Sequence, residues 1–213
     1  MQALLAFSRA VDALNRNVGK LMIWLILAST LISAGNAIVR KVFDTSSNAW
    51  LEVQWFLFAW AFLLAAGYTL LNQEHVKIDV IYGRWSKRTR IWIDVFGFVC
   101  FLTPVCIAVL YFGIPQFWAK FQSGEMSSNA GGLIRWPAWL ALPIGFVLLL
   151  LQGWSELIKR VAFLRGQAPD PTDKSGEKSA EEMLAEDLRM KTEAEEAAAA
   201  AAAQTISLAN AAA

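Results

Sequence analysis

Four long apolar stretches without a charged residue dominate the pattern along the chain. They occupy residues 21–39, 53–73, 95–119 and 136–155, and segments that contain charges separate them. A helix needs about 20 mainly apolar residues to cross the roughly 30 Å hydrocarbon core of a bilayer. The pattern therefore predicts an all-α membrane protein with four transmembrane helices, at about residues 20–40, 50–72, 91–112 and 136–158.

An amphipathic pattern precedes the first apolar stretch. Leu4, Phe7, Val11 and Leu14 recur at helical spacing, and the charged residues lie off this stripe. Two interpretations of residues 1–19 fit the pattern: a helix that lies in the membrane interface, or a cytosolic lead-in to the first span. No small-residue cleavage site follows the apolar run, so we expect the first span to be an uncleaved anchor.

Charge separates the end of the chain from the rest. Residues 166–213 carry 10 acidic and 4 basic side chains, whereas the first 165 residues carry 8 and 15. The tail is rich in Ala and Glu and has little apolar surface to bury, so we expect disorder or a solvated helix. The predicted organisation is an amphipathic segment at 1–19, a four-span domain at 20–165 and a tail at 166–213.

The distribution of Lys and Arg predicts the orientation. The N-terminal segment, the loop after the second span and the exit of the fourth span together hold eleven, and the two opposite loops hold four. Because the more basic loops stay in the cytoplasm, both termini are expected there.

The sequence offers little material for catalysis. His75 is the only histidine, and no metal-binding or phosphate-binding motif is present. Cys100 and Cys106 lie in one predicted helix and point about 240° apart, so they cannot bond to each other. With 56% hydrophobic residues, the composition also argues against a soluble enzyme or a nucleic-acid-binding domain. We therefore predict no catalytic residue, no cofactor and no metal site.

Packing signals are clearer than chemical ones. Ser29 and Ser33 on the first span, and Ala61 and Ala65 on the second, place small residues where helices pack closely. Pro104 predicts a kink or an unwound turn in the third span. An unwound turn can be a substrate site in a transporter, but a structural kink is the preferred interpretation.

Polar and aromatic side chains at the ends of the spans are the candidate subunit-interface or structural residues. Glu52 either stabilises the start of the second helix or forms an ion pair, with Arg40 or with a partner chain. Arg40 either extends to the lipid headgroups or contacts a partner. The full set is Asn36, Arg40, Trp50, Glu52, His75 and Asp79.

Several segments resemble a known family. They are Asn36-x3-Arg40-x2-Phe43, SNAWLEVQWFLFAWAFLLAAGYTL at 47–70, NQEHVKIDVIYGRWSKRTRIWIDVFG at 72–97, and GEMSSNAGGLIRWPAWLALPIGFVLLLLQGWSELIKR at 124–160. In these the chain resembles the small membrane subunit (DctQ-like) of tripartite ATP-independent periplasmic (TRAP) transporters. The LEVQW and GGLIRWP forms resemble the branch labelled mannitol/chloroaromatic.

The resemblance implies a function. A subunit of this kind resides in the bacterial inner membrane, where it stabilises and anchors a large DctM-like transport subunit. A periplasmic solute-binding protein delivers an organic acid or a related solute, and an ion gradient drives its uptake. The alternatives are a self-sufficient four-span transporter, an accessory subunit of another membrane complex, or a membrane enzyme. The first would need polar faces on two spans, and the last would need a catalytic cluster.

Overall fold

The computed structural model describes residues 2–45, 47–73, 85–168 and 188–190. The chain divides into two units, Met1–Pro171 and Thr172–Ala213. In the second unit, the described residues 188–190 are helical. Of the predicted tail at 166–213, residues 166–168 are also described, and the remainder lies outside the described residues. The first unit is all-α, as predicted, and its described part adds only an antiparallel bridge between Met126 and Ile134.

Five α-helices and one π-helical turn make up the first unit as described. They are α1 (Gln2–Phe43), α2 (Asn48–Leu71), α3 (Lys87–Gly97), the π-helical turn (Phe98–Leu102), α4 (Thr103–Ser123) and α5 (Trp136–Leu164). The segment Lys87–Ser123 forms one long membrane helix, here called the third membrane helix. Four helices in the described part are long and apolar enough to cross a membrane, which confirms the predicted fold class.

The predicted N-terminal segment and the first span form one continuous helix of 42 residues. At 1.5 Å per residue, α1 is roughly 63 Å long, about twice the thickness of the hydrocarbon core. The predicted apolar stripe is divided: Val11 is 5% exposed, whereas Leu4 and Leu14 are 49% and 45% exposed. The polar residues Ser8 and Asn15 are buried together with Val11. The inward side of this part of α1 therefore combines apolar and polar residues.

Three helices form the centre of the bundle, because α1, α2 and α5 all pack on one another. The predicted small-residue contacts are present. Ala61 is 2% exposed, and buried Ser29 donates from its hydroxyl to the Gln54 carbonyl oxygen at 3.0 Å. At Gly145, an added Cβ would lie 2.8 Å from the Leu63 carbonyl oxygen. The backbones of α2 and α5 meet so closely there that only glycine fits.

The third membrane helix packs mainly against α5. Its π-helical turn comes directly before Pro104, where a proline ring would clash with a regular helical carbonyl. Thr103 compensates, since both its backbone N–H and its hydroxyl donate to the Phe98 carbonyl oxygen, the hydroxyl at 2.8 Å. The predicted distortion at Pro104 is thus confirmed as a π-helical turn.

The close approach at Gly145 predicts a destabilised variant. Gly145→Ala must push α5 away from the α2 backbone, and overpacking of this kind costs roughly 1–3 kcal/mol. We expect a lower midpoint of thermal unfolding for the detergent-solubilised chain, followed by size-exclusion chromatography. Gly97→Ala is the matched control, because a Cβ there meets nothing within 4 Å. Equal midpoints for the two variants would contradict the close packing.

Candidate functional site

Buried polar side chains join the N-terminal half of α1 to the C-terminal half of α5. In this polar seam (Ser8, Asn15, Gln152 and Ser155), the two serine Oγ atoms lie 2.6 Å apart. Asn15 Nδ2 donates to Gln152 Oε1 at 2.9 Å. All four residues are at most 2% exposed. Because apolar burial gives helices in lipid little drive to associate, such contacts select how α1 lies on α5.

The Asn15 side chain also fits against α2. Its Oδ1 atom is buried and accepts no hydrogen bond from the described residues. An added Cβ on Gly67 would come within 2.3 Å of that oxygen, so Oδ1 rests against the glycine backbone. A Cα–H group is a weak donor of the kind that recurs at helix–helix contacts. Gly67 thus gives the polar seam space at the contact among α1, α2 and α5.

Charged side chains continue the polar seam towards the end of the bundle that carries the N-terminus. This charge cluster consists of Asp12, Asp94, Glu156, Lys159 and Arg160. Lys159 Nζ lies 3.0 Å from Asp12 Oδ2 and also pairs with Glu156. Arg160 pairs with Glu156, and its Nε lies 3.0 Å from Asp94 Oδ2. The cluster ties α1, α3 and α5 together and carries a formal charge of −1.

Arg160 is the central residue of the cluster, because it links α5 to the third membrane helix. It is 2% exposed, and its guanidinium carbon lies 4.8 Å from the centre of the Phe98 ring. The ring face attracts the cation, and the carboxylates of Asp94 and Glu156 neutralise it. Loss of one partner of a buried ion pair leaves the other charge unpaired, which is strongly destabilising.

At the opposite end of the bundle, Glu52 holds the loop at residues 124–135. Its carboxylate accepts from Asn129 Nδ2 at 2.9 Å and from the Leu133 backbone N–H at 2.6 Å. The residue is 1% exposed. In the described part of the chain these loop groups, and not Arg40, are the partners of Glu52. The ion pair with Arg40 that the sequence suggested is therefore not formed there.

The loop itself folds as a short hairpin. The backbone N–H of Ser127 donates to the Leu133 carbonyl oxygen at 2.8 Å, and that of Arg135 donates to the Glu125 carbonyl oxygen at 3.0 Å. At the base of the hairpin, the Glu125 carboxylate pairs with Lys120 and with Arg135. The hydrogen bond from Lys120 is the main reason that the pKa of Glu125 lies below its usual value. The anion, and with it the hairpin base, persists as the pH falls below the usual carboxyl range.

A groove lies beside this hairpin end, between α1 and the start of α2. The cavity has a volume of about 390 Å³, and Ile32, Asn36, Val39 and Trp50 are among its lining residues. It brings together two of the predicted interface residues, Asn36 and Trp50. Arg40 follows one turn after Asn36 on α1 and is exposed. Within the described residues no hydrogen bond or ion pair to Arg40 is formed, and the other two predicted residues, His75 and Asp79, lie outside the described part.

The sequence reasoning missed the polar seam and the charge cluster. Their signal was present in the spacing, because Ser8, Asp12 and Asn15 share one face of a helix and Glu156, Lys159 and Arg160 share another. Nothing in the spacing indicates that the two faces meet. The acidic side chains of the cluster pair with Lys159 and Arg160. Among the described residues, no group of three or more His, Cys, Asp or Glu side chains is arranged so that it could hold a metal ion.

The geometry defines an integral membrane protein whose polar side chains are used for helix packing and for holding a loop. A comparison with protein-family models matched residues 29–163 to the DctQ component of tripartite ATP-independent periplasmic transporters. The chain belongs to this family, whose members are the small component of those transporters. A comparison with curated proteins found no match. Members of this family are transporter components, and the family is not a family of enzymes.

The buried charge cluster makes Arg160 the most sensitive position on α5. In Arg160→Met, the carboxylates of Asp94 and Glu156 lose a shared partner, at a cost of about 3–5 kcal/mol. We expect a lower yield of folded protein in detergent and a lower unfolding midpoint. Arg165→Met, which removes an exposed charge from the same helix end, should behave like the unaltered chain. A fully stable Arg160→Met variant would show that the cluster does not hold the third membrane helix.

Proposed function

We propose that this chain stabilises and anchors a large DctM-like membrane subunit in the bacterial inner membrane. That subunit transports an organic acid or a related solute, which a periplasmic binding protein delivers, at the expense of an ion gradient. The observation that carries the proposal is the groove beside Arg40. Here the chain presents an apolar hollow, the amide side chain of Asn36 and the exposed cation of Arg40. The charges at the opposite end of the bundle, in contrast, form ion pairs with one another.

Contact with the large subunit is proposed at Asn36, Arg40 and Trp50. Lateral association in lipid depends on close packing and on polar contacts, and this surface offers both. A cavity of about 390 Å³ is large enough to take side chains from a neighbouring helix. Of the two roles expected for Glu52, at a subunit interface or in the structure of the chain, we propose the structural one. It positions the hairpin from inside, and it acts on a partner only through that loop.

The hairpin at residues 124–135 is proposed as part of the face that receives the periplasmic binding protein. Its base is fixed by Glu125 and by Glu52, and Met126 is 63% exposed nearby. A rigid loop with an exposed apolar side chain suits a transient contact, because little order is lost on binding.

The orientation follows from the same charge asymmetry that the sequence shows. The N-terminus, the loop at 74–90 and the exit of α5 are placed in the cytoplasm, with eleven Lys and Arg against four on the other side. The hairpin and the groove then face the periplasm. His75 and Asp79 fall in the cytoplasmic loop as further proposed contacts of the large subunit.

Arg40→Ala should weaken co-purification of the large subunit while this chain stays inserted. An exposed ion pair in the headgroup zone contributes roughly 0–1 kcal/mol, which is at most about fivefold, so a retention loss of about tenfold or more requires a desolvated partner. The measurement is the ratio of the two subunits after tandem affinity purification. Lys41→Ala is the matched control, since Lys41 is the exposed neighbour on the same helix end. The same ratio in both variants would remove Arg40 from the interface.

The variant Glu52→Ala distinguishes the direct contact with the large subunit proposed for Arg40 from the indirect role proposed for Glu52, which acts through the hairpin. It should loosen the hairpin, which is detected as faster maleimide labelling of a cysteine introduced at the half-buried position Leu133, in a chain whose two native cysteines are replaced by serine. Arg40→Ala should leave that labelling rate unchanged. Slow labelling in the Glu52 variant would contradict the positioning role.

Orientation can be tested with reporter fusions at Ser47, Gly83, Ser127 and Gly166. The expected locations are periplasm, cytoplasm, periplasm and cytoplasm, in that order, read by alkaline phosphatase activity against fluorescent-protein folding. The reversed order would show that the Lys and Arg bias does not govern insertion.

A further inference from the structure

A second cavity, open to the side of the bundle, lies between α2 and the third membrane helix. It has a volume of about 590 Å³, and its walls are almost entirely apolar. Leu70 of α2, Phe146 and Leu149 of α5, and Phe101 and Val105 of the third membrane helix contribute to the lining. The cavity exists because the third membrane helix packs on α5 and leaves a gap towards α2.

The π-helical turn shapes this lateral cavity. Three of its five residues, Phe98, Phe101 and Leu102, line the hollow. Leu102 also packs on Gly153 of α5, where an added Cβ would lie 2.5 Å from a Leu102 methyl group. The third membrane helix is thus held against α5 at Leu102, and the cavity remains open on the side towards α2.

The cavity is long enough to run across one leaflet of a bilayer. Its lining on the third membrane helix runs from Ile93 to Cys106. Thirteen steps of 1.5 Å give a length of about 20 Å along the helix, compared with about 15 Å for half of the hydrocarbon core. A hollow with these proportions, parallel to a membrane helix and open to the side, suits an extended hydrocarbon chain.

Charged residues on α3 indicate which type of lipid headgroup the cavity suits. Asp94 is the acidic residue in the lining, and its carboxylate is already neutralised by Arg160 at 3.0 Å. Lys87 and Arg88 begin the same helix and are exposed, and Arg90 lies one turn before Asp94. Lys87 and Arg90 precede Asp94 by seven and four residues and so share its face of the helix. Basic positions beside a hollow between membrane helices favour the phosphate of an anionic lipid.

We infer that the lateral cavity binds one acyl chain of an anionic glycerophospholipid, with the lipid phosphate against the basic first turn of α3. The inference uses only the relative positions of the cavity and these charges, so it does not depend on the orientation proposed above. The lipid would fill the gap between α2 and the third membrane helix.

The test uses the full chain co-purified with the large subunit and reconstituted with photoreactive lipids. Phosphatidylglycerol with a diazirine in its acyl chain is compared with phosphatidylcholine that carries the same chain. Peptide mass spectrometry should place the phosphatidylglycerol adducts at residues 93–106 and 146–149, at least fivefold above those of phosphatidylcholine. Adducts spread evenly over the apolar surface, or equal yields for the two lipids, would overturn the inference.

Two pairs of variants examine the two ends of the site. Val105→Trp fills the hollow and should lower the adduct yield about tenfold, whereas Ile107→Trp, on an equally exposed position outside the lining, should keep it within twofold. Lys87→Gln with Arg88→Gln should abolish the preference for phosphatidylglycerol, and Arg16→Gln with Lys20→Gln, which removes the same charge from α1, should preserve it. If Val105→Trp instead lost the large subunit, and the unaltered complex gave no lipid adduct, the occupant would be a protein and the inference would be wrong.

Discussion

Helices inside a bilayer gain little by hiding apolar surface from one another, because lipid tails are as apolar as leucine side chains. The architecture of this chain depends on that constraint. Its α1 helix turns Ser8 and Asn15 inwards, where both are buried, and leaves Leu4 and Leu14 exposed. Each inward polar group meets a partner on α5, so the contact is selective in a way that an apolar face in lipid would not be.

The charge cluster extends the same principle to the third membrane helix. That helix has a π-helical turn, and it packs mainly on α5, so it is the least embedded of the four membrane helices in the described bundle. Its fixed point is the pair between Asp94 and Arg160, which the Phe98 ring reinforces from the next turn. Since a buried charge is costly when its partner is removed, loss of Asp94, Glu156 or Arg160 destabilises the residues that pair with it. The third membrane helix, which packs weakly, is therefore held at one end by an ion pair that is sensitive to substitution of either partner.

How far the sequence predicts this molecule depends on the range of the interactions. The four spans, the distortion at Pro104 and the small-residue contacts at Ser29 and Ala61 all come from local composition, and the structure confirms them. The burial of Ser8 and Asn15 on α1 was not predicted, because their partners Ser155 and Gln152 lie on α5, far away in the sequence. The partners of Glu52 could not be predicted for a similar reason. Its partners, Asn129 and Leu133, are about 80 residues away, and no helical period connects them.

The two ends of the bundle use their charges in different ways, and this difference bears on where a partner binds. At the N-terminal end, carboxylates and cations of different helices form ion pairs with one another. At the hairpin end, the Glu52 carboxylate accepts hydrogen bonds from the loop, whereas Arg40 is exposed beside the groove. The match to the DctQ family covers residues 29–163 and so includes Arg40 and the hairpin, but not Ser8, Asp12 or Asn15. The hairpin end thus lies wholly within the family segment, whereas the polar seam pairs family residues on α5 with residues of α1 outside that segment. The seam fixes the part of α1 before residue 29 against α5, whereas the exposed cation and the apolar hollow that suit a lateral partner lie within the matched segment.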